Sequence, residues 1–152
     1  MKKFNTHMLT LLLCIPVFVF AQKRLPADEA LKLFKPTIPA IEKQTKGIVQ
    51  EPNVFIGDIN GDKKPDCIVS YVVTPKEGGN AIMQHTSVIY LNTGNGMRNA
   101  GSFPDLKFCY GISAIKDGLI MIDKIKCAPP YMEVTGRGKL AYRDGKIVEV
   151  KK

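Results

Sequence analysis

The chain has 152 residues, 22 Lys and Arg against 14 Asp and Glu, a formal net charge of +8, no Trp, four Cys and two His. That length fits one domain and excludes a propeller, a solenoid and a TIM barrel. A content of 45% hydrophobic and 24% charged residues is neither that of a disordered or collagen-like chain nor that of a scaffold held mainly by disulfides.

Residues 1–21 read as a secretory signal peptide. Lys2 and Lys3 form a basic start, the run from Met8 to Ala21 is apolar, and Val19-Phe20-Ala21 makes a small-residue cleavage site before Gln22. The apolar run of about 14 residues is short of the roughly 18 to 20 that a membrane-spanning helix needs, so no transmembrane segment is expected after cleavage. Cys14 follows Leu13 where a lipid-attachment box wants a small residue, which argues against lipidation. Cleavage removes two positive charges from +8, leaving +6, and leaves His85 with Cys67, Cys109 and Cys127 in a single β-rich domain, 22–152. The lysines are scattered rather than clustered. The densest basic stretch, Lys116 to Lys126, alternates with Ile and Met as a half-buried strand does and lacks the aromatic and Arg interleaving of a nucleic-acid surface, so no nucleic acid is expected as a partner.

Ala27 to Lys35 carries early acids, a late Lys and Ala30, Leu31 and Phe34 on one side of a helix, and Pro36 stops it. A further short turn is placed around Ala40 to Lys43. From Gly47 onward the pattern changes to short runs rich in β-branched and aromatic residues: Val54 to Ile56, Cys67 to Thr74, Thr86 to Asn92, Lys107 to Ile112, Leu119 to Lys126, Tyr131 to Val134, Lys139 to Tyr142 and Lys146 to Val150. Asp117-Gly118 and Asp144-Gly145 are hairpin turns in which both central residues need positive φ. Their surroundings, AIKDGLIMIDK and AYRDGKIVEVK, echo each other as two hairpins of one chemistry do. The fold class is therefore α+β, mostly β: a short N-terminal helix plus an antiparallel sheet of hairpins with one calcium-binding loop.

That loop is Asp58 to Asp66, DINGDKKPD. Oxygen side chains stand at positions 1, 3, 5 and 9, on Asp58, Asn60, Asp62 and Asp66, and the carbonyl of Lys64 at position 7 adds a further ligand. Calcium is a hard cation that takes six to eight oxygens, and an alternating Asp/Asn series in a tight turn aims them inward. Three carboxylates repel one another without a cation, so the metal would contribute to folding. The loop is not an EF-hand: position 12 is Val69, inside a strand, and Lys63 stands where that motif has its Gly.

IGDINGDKKPDCIVSYV followed by SVIYLNTGNGM resembles one FG-GAP or VCBS-type repeat, in which a strand, a DxNGDGxxD calcium loop, a strand and a later strand with an Asn-Gly-rich turn recur. The likeness spans Phe55 to Met97. It implies calcium as the cofactor, with Asp58, Asn60, Asp62, Lys64 through its carbonyl, and Asp66 as ligands. It leaves the activity open.

An oxidising compartment favours a disulfide among the three remaining cysteines. Cys109 with Cys127 is the preferred pair. Opposite positions of a hairpin closed by Asp117-Gly118 sum to 235 and this pair to 236, so a bulge or a longer turn is required. Cys67 is expected as a buried small hydrophobe and His85 as a surface histidine. No GxSxG, phosphate-binding Gly loop or CxxC is present. These features point to an exported, periplasmic or secreted, non-catalytic binding protein stabilised by calcium, with another protein as partner, an inhibitor or immunity-type protein being one form of it. A small metal- or His-assisted hydrolase and a structural envelope protein stand as alternatives.

Overall fold

A computed structural model describes residues 25–78, 81–106, 108–126 and 133–151. The proposed signal peptide, Cys127 and the first half of the strand expected at Tyr131 to Val134 lie outside them. The elements are helix α1 (Pro26–Phe34), helix α2 (Ile38–Thr45) and strands β1 (Gly47–Val49), β2 (Asn53–Gly57), β3 (Asp66–Pro75), β4 (Gln84–Asn92), β5 (Met97–Ser102), β6 (Cys109–Lys116), β7 (Leu119–Ile125), β8 (Val134–Arg143) and β9 (Lys146–Glu149).

Helix α1 begins with Pro26, whose missing N–H is one that a first turn leaves unpaired anyway, and places Asp28 and Glu29 at its positive end. Ala30 and Phe34, four residues apart, are the fully buried face. Pro36 ends α1 without ending the helical path: Lys35–Thr37 form one 3-10 turn, and α2 follows with Pro39 again in its first turn. Lys46, at φ 56, turns the chain out of α2 into β1.

Two antiparallel sheets follow where the sequence suggested one. In the first, the order is β1-β3-β4-β5, with β2 also on β3. Strands β1 and β2 lie end to end along one edge of β3: Gly47–Val49 pairs with Val73–Pro75, and Asn53–Gly57 with Asp66–Ser70. The second sheet is the meander β6-β7-β8-β9. Its tight turns have the expected geometry, with Asp117, Gly118, Asp144 and Gly145 all at positive φ.

Alternation along β3 and β4 sorts two cores. Cys67, Val69, Tyr71 and Val73 with Val88 and Tyr90 pack under Ala30 and Phe34 of the helical layer. Ile68, Ile89 and Leu91 face the second sheet, where Tyr110, Ile112, Ile120, Ile122, Leu140 and Ile147 meet them. The molecule is thus three layers, helices on a sheet on a sheet, and its middle strands are buried on both faces. The sheets approach closely at Gly57, where an added Cβ would lie 2.6 Å from the Ile115 Cβ of β6.

The β6–β7 register bears on the cysteines. A bulge between Ile112 and Ala114 moves the pairing so that Cys109 stands opposite Ile125. The extra residue lies on β6, and it carries Cys109 further from direct register with position 127. Cys109 is not a free thiol. Its pairing with Cys127 is a proposal, since Cys127 lies outside the described residues.

Candidate metal centre

The loop Asp58 to Pro65 joins the paired ends of β2 and β3, where Gly57 stands opposite Asp66. Asp66 is fully buried, and both of its carboxylate oxygens are committed. Oδ2 accepts the Ile59 N–H at 2.9 Å and Oδ1 accepts the Asn92 N–H at 2.8 Å, so this one side chain ties the loop to the end of β4. Asn92 adds a side-chain bond to the Pro65 carbonyl at 3.3 Å. Burial pushes the Asp66 carboxyl up from its ordinary range; the two N–H donors oppose that shift, and the nearby Asp62 and Asp58 charges add to it.

The remaining polar side chains fold the loop onto itself. Asp58 accepts from the N–H groups of Gly61 at 2.7 Å and Lys63 at 2.9 Å, Asn60 from Asp62 at 3.0 Å, and Asp62 from Lys64 at 2.9 Å. Short Asp and Asn side chains do this where longer ones overshoot, which is why they dominate such turns. Gly61 and Lys63 both take positive φ, 83 and 63 degrees. At position 63 a Lys adopts a backbone that costs a non-glycine residue about 1 to 2 kcal/mol. The missing Gly noted in the sequence is therefore a position where the turn needs one.

Carboxylate oxygens of Asp58, Asp62 and Asp66 all lie within 4.8 Å of one another. Three like charges so placed repel one another. The ammonium group of Lys64, 3.1 Å from Asp62 Oδ2, offsets part of this, and the Lys64 backbone and side-chain donors hold the Asp62 carboxyl below its usual range. Accepting an N–H leaves each carboxylate oxygen a second lone pair, so the same groups retain ligand capacity for a hard cation. The structure thus gathers the three acids named from the sequence. Asn60 shapes the turn, and Lys64 acts on the cluster through its ammonium. Asn92, 26 residues from Asp66, was not anticipated; the Asn-Gly-rich turn after β4 was the signal available.

At the other end of β3 and β4 stands His85, which the sequence suggested would be at the surface. It is half-buried, with Nε2 3.0 Å from Ser70 Oγ and its ring 5.1 Å from that of Tyr110, and burial pushes its pKa down. Cys67 is buried as expected, and its thiol is pushed up to about 12 by burial first and by the Asp66 charge second, which leaves it unreactive at neutral pH. Among the described residues no helix is long and apolar enough to cross a membrane. No family model, curated protein or solved structure matches the chain.

Proposed function

We propose that this is an exported, non-catalytic binding protein, periplasmic or secreted, whose Asp58–Asp66 loop holds a structural calcium ion, and that its recognition partner is another protein. The observation that carries the metal reading is the convergence of the Asp58, Asp62 and Asp66 carboxylates around one point, with Asp66 buried and bonded to both flanking segments. A cation there relieves the mutual repulsion and fixes the β2–β3 and β4–β5 connections against each other. Calcium suits the set better than zinc because every donor is an oxygen. The resemblance to a single FG-GAP or VCBS-type repeat supports the same ligand set. A closed structural ion and the lack of a nucleophile motif favour binding over catalysis, and export supports a disulfide between Cys109 and Cys127.

The test is thermal unfolding of the purified protein with calcium and with chelator, beside Asp62→Ala. Calcium at about 100 times its Kd stabilises the folded state by about 2.7 kcal/mol, a rise of several degrees in Tm, and the variant loses most of that rise. An unchanged Tm in calcium overturns the metal reading. Capture with the purified protein as bait, returning one partner at fixed stoichiometry, tests the binding role; repeated recovery of background alone counts against it.

One observation favours a hydrolase as a second reading: the Ser70 and His85 pair, 3.0 Å apart. Ser70 is 6% exposed in the middle of β3, paired to β2 and β4 on both sides, and it does not line the recess that His85 faces. A nucleophile must reach its substrate, so Ser70 serves better to orient the imidazole than to attack. Esterase or amidase activity lost in both Ser70→Ala and His85→Ala would establish the hydrolase.

A further inference from the structure

The dipeptide Asn-Gly occurs twice in the chain, at Asn60-Gly61 in the acid loop and at Asn95-Gly96 in the turn between β4 and β5. Asn is a chemically labile residue, and before Gly it is most so, because no side chain shields the glycine nitrogen from the Asn side-chain carbonyl. An added Cβ at Gly61 or at Gly96 would meet nothing within 4 Å, so crowding does not separate the two positions. Hydrogen bonding does.

At Gly61 the reacting groups are held. The Gly61 N–H donates to Asp58 Oδ1 at 2.7 Å, and the Asn60 carboxamide oxygen accepts the Asp62 N–H at 3.0 Å. Attack requires the glycine nitrogen to lose its proton, and a carboxylate that accepts that proton opposes the negative charge left behind. At Gly96 these restraints are missing. Asn95 is exposed, and among the described residues neither its carboxamide nor the Gly96 N–H makes a hydrogen bond. The turn is closed by other atoms: the Gly96 carbonyl accepts from the Thr93 N–H at 3.0 Å and from Thr93 Oγ1 at 2.9 Å. A positive side chain lies alongside, since an added Cβ at Gly94 would stand 3.7 Å from Lys64 Cε. A nearby cation favours the deprotonated nitrogen.

We propose that Asn95 is a site of spontaneous deamidation in the folded protein and that Asp58 protects Asn60 from the same reaction. Hydroxide takes the Gly96 N–H proton, the nitrogen forms a bond to Asn95 Cγ, and the Cγ–Nδ2 bond breaks. Nδ2 leaves as ammonia with a proton from water, which regenerates the hydroxide. Water then opens the succinimide ring at either carbonyl, giving aspartate or isoaspartate. The net change is amide plus water to acid plus ammonia, with nothing oxidised or reduced. Either product puts a negative charge in the turn beside Lys64, and isoaspartate also lengthens the main chain between Thr93 and Gly96.

The test is peptide mapping by mass spectrometry of the purified protein aged at mildly alkaline pH, in chelator so that the outcome does not depend on the metal reading. Tryptic cleavage after Lys46, Lys63, Lys76 and Arg98 puts the two sites in separate peptides, and matched digests of unaged protein supply the background. The expected result is conversion at Asn95 at least about tenfold faster than at Asn60, the rate equivalent of one charge-assisted hydrogen bond. In guanidinium chloride that unfolds the chain, the two rates converge. In Asp58→Ala, Asn60 speeds up while Asn95 does not change. A native ratio below that, an Asn95 that stays intact while the unfolded chain reacts, or a difference that persists in guanidinium chloride each overturns the proposal. An Asn60 as slow in folded Asp58→Ala as in the parent overturns the role given to Asp58. Should Asp58→Ala fail to fold, the comparison of native with unfolded parent still decides.

Discussion

The two ends of the β3–β4 hairpin treat polar groups in opposite ways. At the Asp66 end, three carboxylates converge in a loop that is mostly open to water, and their hydrogen bonds come mostly from backbone N–H groups that shape the turn, with the Lys64 ammonium on Asp62 as a charged donor. At the His85 end, the polar groups are neutral, pair with each other and lie against aromatic rings. Pairing that consumes local charge leaves nothing for a cation to do. Pairing mostly by backbone dipoles leaves much of the charge in place, so these oxygens retain ligand capacity for a hard cation. The same two strands thus carry a cluster of carboxylates at one end and mutually paired neutral polar side chains at the other.

The largest effect that would break this contrast is at Asp66. Asp66→Ala strips acceptors from the Ile59 and Asn92 N–H groups at once, and both donors sit beside a fully buried position. Leaving two such donors unpaired costs about 3 kcal/mol or more, read as a fall in the urea midpoint in chelator, with calcium no longer restoring it. A cost under about 1 kcal/mol would mean that the loop is not tied to β4 through this side chain. Next comes Gly57→Ala, which pushes a methyl into Ile115 where the sheets touch. Overpacking of this kind costs about 1 to 3 kcal/mol, and because Gly57 immediately precedes Asp58 the variant should also weaken calcium binding. Its effect on the recess end should be small by comparison.

The recess end is tested by pH. His85 has a lowered pKa because burial disfavours its charged form. The unfolded chain takes up a proton near pH 6.5 while the folded one resists until lower pH, so stability from this group is intact above about 6.5 and is lost as pH falls through the window between the two values. His85→Gln, which keeps a polar group near Ser70, should remove that limb of the pH profile. The readout is the urea midpoint measured at intervals from neutral to mildly acid pH. A limb that survives in the variant would assign it to another group.

How far the sequence carries depends on whether the deciding partner is near or far along the chain. Strands β3 and β4 are legible because β-branched runs and turn residues are local, and both Asp-Gly turns were located to the residue for the same reason. Strand β5, MRNAGS, has no β-branched or aromatic residue; its pairing with β4 forms it, with a bulge near Ala100. The short turn expected around Ala40 to Lys43 is a longer helix, Ile38–Thr45, with Pro39 in its first turn, where its missing N–H costs nothing. The division into two sheets was foreshadowed only by DCIVSYVV, a run apolar on both alternating faces, as a strand covered on both sides must be. The metal loop is legible for its acids, whose spacing is internal to nine residues, but not for Asn92, and His85 was misjudged because Tyr110 covers it from a different sheet.

The smallest of these effects sharpens the contrast most cleanly because it alters no charge at the ligand positions. Lys63 holds φ 63 in the middle of the loop and donates its N–H to Asp58, while its side chain has no assigned role in the cluster. Lys63→Gly keeps that N–H and removes the left-handed penalty of about 1 to 2 kcal/mol, at an entropic cost in the unfolded chain of about 0.5 to 1 kcal/mol. The net expectation is a gain of about 0.5 to 1 kcal/mol, observed in chelator as well as in calcium. If the gain appears in both, the loop's backbone is set without the ion and the metal acts on the acids alone. If it appears only in calcium, the ion is what enforces the left-handed turn at position 63, and the loop end of the hairpin acquires its geometry together with its cation.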